Sequence, residues 1–191
     1  MTNKKDLELD VSAAEKIGLG LLNNHVHFLT GEINEENIED TIKWIVYENI
    51  TCGPNVKTLT LYINSTGGSL NDSLGLIDIM RASKCPIATI GVGSICSAAF
   101  MIFSAGYKGK RYIAKNTSIM CHQYSDGIEG KHHDIESRFK EVKLTNARMI
   151  NILKENTELD TRTIKSKLLN ATDVWLTAEE MVELGIADDY I

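Results

Sequence analysis

From residue 24 onward, short apolar stretches alternate with amphipathic ones. Asn24 to Gly31 (NHVHFLTG) predicts a short strand with Val26 and Phe28 turned inward, ended by glycine. Glu35, Glu36 and Glu39 then open a helix whose apolar side carries Ile38, Ile42, Ile45 and Val46. Acidic residues in its first turns suit the positive end of the helix dipole. Thr51 to Pro54 reads as a turn. From Lys57 to Asn64 the alternation is strict, with Leu59, Leu61 and Ile63 on one face of a strand. Gly67 and Gly68 end that strand region, and Ser69 to Met80 predicts a helix. Pro86 precedes a hydrophobic strand over Ile87 to Val92, and Gly93 leads into a helix from about Ser97. Tyr112–Ile113 and Ser118–Met120 are further short strands. Strand, glycine turn, helix and strand again is the pattern of βαβ units with parallel pairing.

Beyond His122 the pattern changes. Tyr124 to Lys131 (YSDGIEGK) is polar and glycine-punctuated. A long helix follows from about Asp134 to Glu155, and Ile135, Phe139, Val142, Met149 and Leu153 form one apolar stripe along it. A helix of that length in so short a chain is expected to project and pack against a partner subunit. Thr177 with Glu180 forms a capping box for a last helix that stops before Gly185. Residues 1–16 read as a flexible N-terminal segment and 17–191 as a single domain with an inserted arm at about 124–156.

Composition narrows the class. A chain of 191 residues is long enough for a full hydrophobic core. Its 20 Lys and Arg against 26 Asp and Glu, a net charge of −6, argue against nucleic acid as the main partner. Cys52, Cys85, Cys96 and Cys121 have no CxxC spacing and are expected to be free structural thiols in a reducing compartment. The charge-free run from Cys85 to Tyr107 matches a membrane span in length. Its serines and paired glycines split it instead into a buried strand and helix. The N-terminal MTNKKDLELD lacks the apolar stretch of a secretory signal, so a cytoplasmic protein without membrane contact is expected.

Three places carry candidate chemistry. Gly67–Gly68 after an apolar strand leaves backbone N–H groups able to hold a negative oxygen, although a plain tight turn explains the pair equally well. Ser97, in Gly93-Ser94-Ile95-Cys96-Ser97-Ala98-Ala99, sits at a strand-to-helix junction that presents its hydroxyl beside free N–H groups. Close helix packing is the competing explanation, and Ser94 competes as the cap. His122 ends a buried strand, as a core histidine or as the base that a serine nucleophile requires. Such a base wants a carboxylate to fix its tautomer, and the chain offers many. The His132–His133 pair has no third ligand at helical spacing, and His25 and His27 have no acidic neighbour in sequence, so no metal site is expected.

Taken together, these residues resemble a family, the proteolytic subunit of the Clp protease (ClpP), a family of serine peptidases. The matches are Leu61-Tyr62-Ile63-Asn64-Ser65 before Gly67-Gly68-Ser69, Gly93 four residues before Ser97, and Ser104-Ala105-Gly106. They continue with Lys108-Gly109-Lys110-Arg111, Asn116, Ile119-Met120-Cys121-His122-Gln123, Gly130 and Asp134-Ile135-Glu136. Near the end come Asp173, Leu176-Thr177-Ala178-Glu179-Glu180 and Gly185-Ile186-Ala187-Asp188. No single motif decides; the ordered set from residue 24 onward does. The resemblance implies an α/β fold, a ClpP/crotonase-like superhelix of ββα units with a protruding handle of strand plus long helix.

It also implies an acyl-transfer mechanism with Ser97 as nucleophile, His122 as general base and Asp173 as the orienting acid, and no cofactor. The backbone N–H groups of Gly68 and Ala98 are the implied oxyanion hole. Tyr124, Ser125, Asp126 and Gly127 would bind substrate backbone as an added strand. In the family seven subunits form a ring, rings stack as a tetradecamer, and a AAA+ Clp ATPase feeds in unfolded polypeptides. Tyr62, Ile90, Val92 and Tyr112 fall where that ATPase docks.

Departures from the pattern bear on assembly and partner. Thr66 and Tyr124 replace prolines, and the methionine-glycine after the nucleophile is Ala98-Ala99. Thr172 stands where the family often has an arginine that pairs across rings with an acidic residue matching Asp134. Ala82, Ala114 and Thr60 replace larger apolar or aromatic residues of the docking pocket, which weakens the anchor. Two alternatives stand beside an active peptidase: a non-catalytic ring subunit, and a crotonase-like acyl-CoA enzyme.

Overall fold

The computed structural model describes residues 12–54, 56–125, 127 and 129–191. Its strands are β1 (Val26–Thr30), β2 (Leu59–Ser65), β3 (Ile87–Cys96), β4 (Arg111–Ile113), β5 (Ser118–Cys121), β6 (Val174–Leu176) and β7 (Asp189–Tyr190). The helices are α1 (Ala13–Asn23), α2 (Glu35–Thr51), α3 (Leu70–Ala82), α4 (Ala98–Ser104), α5 (His132–Asn156), α6 (Thr161–Lys167) and α7 (Ala178–Glu183). Strands β1-β2-β3-β4-β7 pair in that order, every neighbour parallel, as the alternation of strand and helix predicts. β5 pairs in parallel with the far end of β3, and β6 runs antiparallel on β5.

The bend in β3 positions the site. Ile63 opposes Gly91, yet Ser65 opposes Ile95, so β3 carries extra residues at Val92–Ser94. Gly93 takes φ 66°, and a Cβ there would lie 2.6 Å from Asn64 Oδ1. That oxygen accepts the Ser94 N–H at 3.0 Å and holds the bulge. Before the bulge β3 pairs with β4, and beyond it with β5. Every residue of α4 is buried, as expected of a helix apolar all round. One cluster of buried hydrophobic residues runs from Leu29 to Ala187.

A charged residue crosses this core. Arg111 is 1 % exposed, and its Nε and Nη2 donate to Asp188 Oδ2 and Oδ1 at 2.9 and 2.6 Å while Nη1 donates to the Asn156 carbonyl at 2.8 Å. Asp188 Oδ2 also accepts the N–H groups of Gly109 and Arg111. Burial pushes the Asp188 carboxyl up. The Arg111 hydrogen bonds and charge, with the Gly109 N–H, outweigh this and hold it below its ordinary value.

Several expectations are corrected. α1 begins at Ala13 behind a Ser12–Glu15 capping box, so residues 13–16 are helical; residues 1–11 lie outside the described ones. In β1 the inward residues are His27 and Leu29, not Val26 and Phe28. Trp44 and Thr41 of α2 receive His27, by stacking at 5.1 Å and a 3.1 Å hydrogen bond. Phe28 is left 47 % exposed and stacked on Tyr62. Val46 is exposed, and Thr41, Trp44 and Glu48 share the buried side of α2 with Ile38 and Ile45.

α5 is buried only in its second half, through Thr145, Met149, Ile152 and Leu153. Ile135 and Phe139 of its first half and Leu144 at its middle are exposed. Among the described residues no helix is long and apolar enough to cross a membrane.

Candidate active site

Parallel pairing brings the ends of β2, β3 and β5 together, and the chemistry sits in the residues just past those ends. Ser97 comes directly after β3 and His122 directly after β5, strands whose register pairs Cys96 with Met120. The Ser97 N–H donates to the Met120 carbonyl at 2.8 Å, fixing the turn between β3 and α4. At that turn Ser97 adopts φ 54°, a left-handed conformation that a non-glycine residue rarely takes. It is the N-cap of α4 but its side chain caps nothing, so the hydroxyl is free to point away from the helix. Oγ lies 2.8 Å from His122 Nε2.

The histidine's tautomer is set by its other nitrogen. Nδ1 meets the backbone carbonyl of Gln123, which can only accept, so Nδ1 carries the proton. In the neutral ring Nε2 is then an acceptor, and Ser97 donates to it. This is the arrangement in which imidazole can take a proton from serine.

The Gly67–Gly68 turn lies against the serine. A Cβ on Gly67 would come 2.7 Å from Ser97 Cβ and 3.2 Å from the Ala98 nitrogen, at φ +98°. Gly68 bridges Ile33, and a Cβ there would sit 2.3 Å from the Ile33 carbonyl oxygen. Among the described residues neither the Gly68 nor the Ala98 N–H has an acceptor. Both line the cavity of about 260 Å³ that contains Ser97, His122, Tyr124 and Ser125. Leu70, Asn71 and Met149 also line it. Sequence reasoning missed these three, although Met149 lay on the stripe assigned to the long helix.

Asp173 does not join the pair. It is exposed and has no hydrogen bond or ion pair among the described residues. Its place in the ladder is nonetheless informative. Ile119, Met120 and Cys121 oppose Leu176, Trp175 and Val174, so the next rung sets Asp173 across from His122. Directly opposed antiparallel residues have Cβ atoms about 4.5–5.5 Å apart, within reach of a carboxylate and an imidazole.

The remaining predicted residues are more dispersed. The Tyr124 N–H donates to Asn146 Oδ1 on α5 at 3.2 Å; Gly127 is exposed and does not line the cavity; Asp126 lies outside the described residues. Tyr62, Ile90 and Tyr112 are cross-strand neighbours, with Val92 further along β3, and Phe28 extends the row onto β1. Phe28 was missed because its apolar character points to the core. Cys96 and Cys121 flank the site as buried thiols. Burial pushes Cys121 up to about 12, Cys96 adding to the shift, and Cys96 itself is raised mainly by burial. Both therefore stay protonated at neutral pH and do not compete with Ser97. Glu136 meets His132 and His133 at 3.5 and 3.4 Å, at the i,i+4 and i,i+3 spacing of α5, which corrects the expectation that the pair has no third group at helical spacing; all three are exposed.

Residues 11–191 match the Clp protease family. The chain is also 32 % identical over 171 residues to the "ATP-dependent Clp protease proteolytic subunit 1" of Rhodopirellula baltica, covering 90 % of this chain and 74 % of that relative. This chain belongs to the Clp protease family.

Proposed function

We propose that this chain is a serine endopeptidase subunit that cleaves unfolded polypeptides by acyl transfer. The observation that carries the reading is the 2.8 Å contact from Ser97 Oγ to an Nε2 whose acceptor role is set by the carbonyl at Nδ1. Ser97 attacks the peptide carbonyl while His122 takes its proton and returns it to the leaving amine. Water then repeats the cycle on the acyl-enzyme. The Gly68 and Ala98 N–H groups receive the oxyanion, each worth about 3 kcal/mol in the transition state. Asp173 moves onto His122 Nδ1 in the working enzyme, displacing the Gln123 carbonyl and stabilising the imidazolium. Substrate lies extended beside residues 124–127. These steps need side chains and backbone alone, with no cofactor.

The same reading makes the working particle a cytoplasmic homo-oligomer, a heptameric ring or two stacked rings, with an altered AAA+ ATPase docked on the row of Tyr62, Ile90 and Tyr112 with Val92, or with no such partner at all. The exposed apolar residues of α5 support a subunit contact there. The detached Asp173 favours a second reading, a ring subunit that is inactive until an activator or an active partner subunit is present.

The test is cleavage of a short fluorogenic peptide beside Ser97→Ala, with particle mass recorded in the same sample. Cleavage lost in the variant from a particle of about seven or fourteen subunits supports the first reading. Silence from an assembled ring supports the second.

A further inference from the structure

At the opposite end of the parallel sheet from Ser97, where β2 and β3 begin, a second cavity of about 220 Å³ lies between the end of α2 and the residues before β3. His25, Glu48, Cys52, Lys57 and Cys85 line it. The two sulfur atoms stand 3.3 Å apart. Cys52 is the C-cap of α2 and half-buried; Cys85 is 2 % exposed and precedes Pro86.

An independent network holds the thiols together. Asn49 of α2 accepts the Lys84 N–H at 2.6 Å and donates to Ser83 Oγ at 3.0 Å. Ser83 Oγ in turn accepts the Cys85 N–H at 3.2 Å and donates to the Cys85 carbonyl at 2.9 Å. The backbone carrying Cys85 is thus bound to the last turns of the helix carrying Cys52. A metal is poorly served here: among the described residues no third His, Cys, Asp or Glu group lies within reach of both thiols. Approach by roughly another 1.3 Å would bring the sulfurs to the 2.03–2.05 Å of a covalent bond.

We propose that Cys52 and Cys85 form a redox site, closed to an intramolecular disulfide by exchange with a small zwitterionic disulfide. Cys52 is the accessible thiol. After losing its proton to water, it attacks one sulfur of the incoming disulfide, forming Cys52–S–S–R and releasing a thiolate that takes up that proton. Cys85 then attacks Cys52 Sγ, its proton leaving with the second thiol. Two protein thiols are oxidised and one external disulfide is reduced to two thiols. One wall of the cavity holds a basic and an acidic side chain joined through an imidazole, Lys57 Nζ meeting His25 Nε2 at 2.9 Å and His25 Nδ1 meeting Glu48 Oε2 at 2.8 Å, while Glu48 Oε1 has no partner among the described residues. Such a wall suits a reagent carrying both an ammonium and a carboxylate. Burial, with the neighbouring Cys52, raises the Cys85 thiol, which suits it to the second step rather than the first.

The experiment treats the full chain with glutathione disulfide, then denatures, alkylates and maps peptides by mass. The expected result is loss of two of the four alkylatable thiols, recovery of one linked peptide pair containing Cys52 and Cys85, and reversal by dithiothreitol. Cys85→Ser is expected to stop at a stable glutathione adduct on Cys52, and Cys52→Ser to leave Cys85 unmodified. Four reactive thiols after treatment, a stable adduct on wild-type Cys52, linkage between chains, or linkage of Cys96 to Cys121 instead would each overturn the proposal.

Discussion

Gly68→Ala tests the oxyanion assignment through a collision that can be measured on the structure. The added methyl would sit 2.3 Å from the Ile33 carbonyl oxygen and 2.9 Å from the Ile33 nitrogen, both backbone atoms. Carbon and carbonyl oxygen rest at about 3.3–3.6 Å, so the turn must retreat by roughly 1 Å. Oxyanion donors act at about 2.7–3.1 Å, and a retreat of that size removes most of the Gly68 contribution. The expected loss is about 10²–10³ in kcat, with KM changed by much less. Gly31→Ala is the control, since Gly31 also has positive φ (+82°) but nothing within 4 Å of a new Cβ. It should cost about 1–2 kcal/mol of stability through backbone strain and leave kcat unchanged. Steady-state cleavage of a fluorogenic peptide, with thermal melts of both variants, reads the two effects apart. A folded Gly68→Ala enzyme with wild-type kcat would refute the reasoning.

Three other substitutions probe the acid, the buried ion pair and the inward histidine. Asp173→Asn should lower kcat by about 10⁴ without changing the melting temperature, because the residue is exposed and unbonded at rest; an unaffected rate would remove Asp173 from the mechanism. Asp188→Asn leaves the Arg111 guanidinium buried without its counter-charge and should cost about 3–5 kcal/mol in urea unfolding. Asp188 is held below its ordinary value of 3.8, so its stabilisation is complete above that pH and is lost as pH falls through the lower folded value. The acid limb of the stability curve should therefore flatten in the Asn variant. Burial lowers His27 from 6.5, with Asp40 opposing, so wild-type stability should decline as pH falls from about 7.5 through 6.5 towards the lower folded value. His27→Phe should lose that slope, and an unchanged slope would mean that another group titrates.

What the sequence disclosed depended on whether a local rule was left uncontested. Leu59, Leu61 and Ile63 alternate with Thr60, Tyr62 and Asn64, and β2 buries the aliphatic face. Thr177 and Glu180 cap α7 as their spacing requires. The Ser97 and His122 candidates were legible as types of residue at strand ends; that one hydrogen bond joins them depends on β3 and β5 being parallel neighbours, a long-range fact. β1 misled because Val26 and Phe28 are the more apolar pair. Trp44 and Thr41 satisfy His27 inside, and Tyr62 offers Phe28 a stacking partner outside, so tertiary contacts outweighed polarity. α1 buries no residue, and only its Ser12–Glu15 cap could have announced it. The resemblance gave Asp173 a role, but only the β5–β6 register sets it across from His122, and among the described residues it makes no hydrogen bond there.

The Arg111–Asp188 pair also constrains the order of events during biosynthesis. The two residues are 77 positions apart, and until the second emerges from the ribosome the first has no counter-ion. Burying a guanidinium without its counter-charge costs several kcal/mol, so β4 is expected to seat on β3 only after Asp188 has emerged. The buried apolar helix α4, only seven residues upstream of Arg111, then waits under partial cover for as long as translation of the remaining segment takes. A nascent chain stalled before Asp188 is accordingly expected to bind a chaperone more than one stalled beyond it.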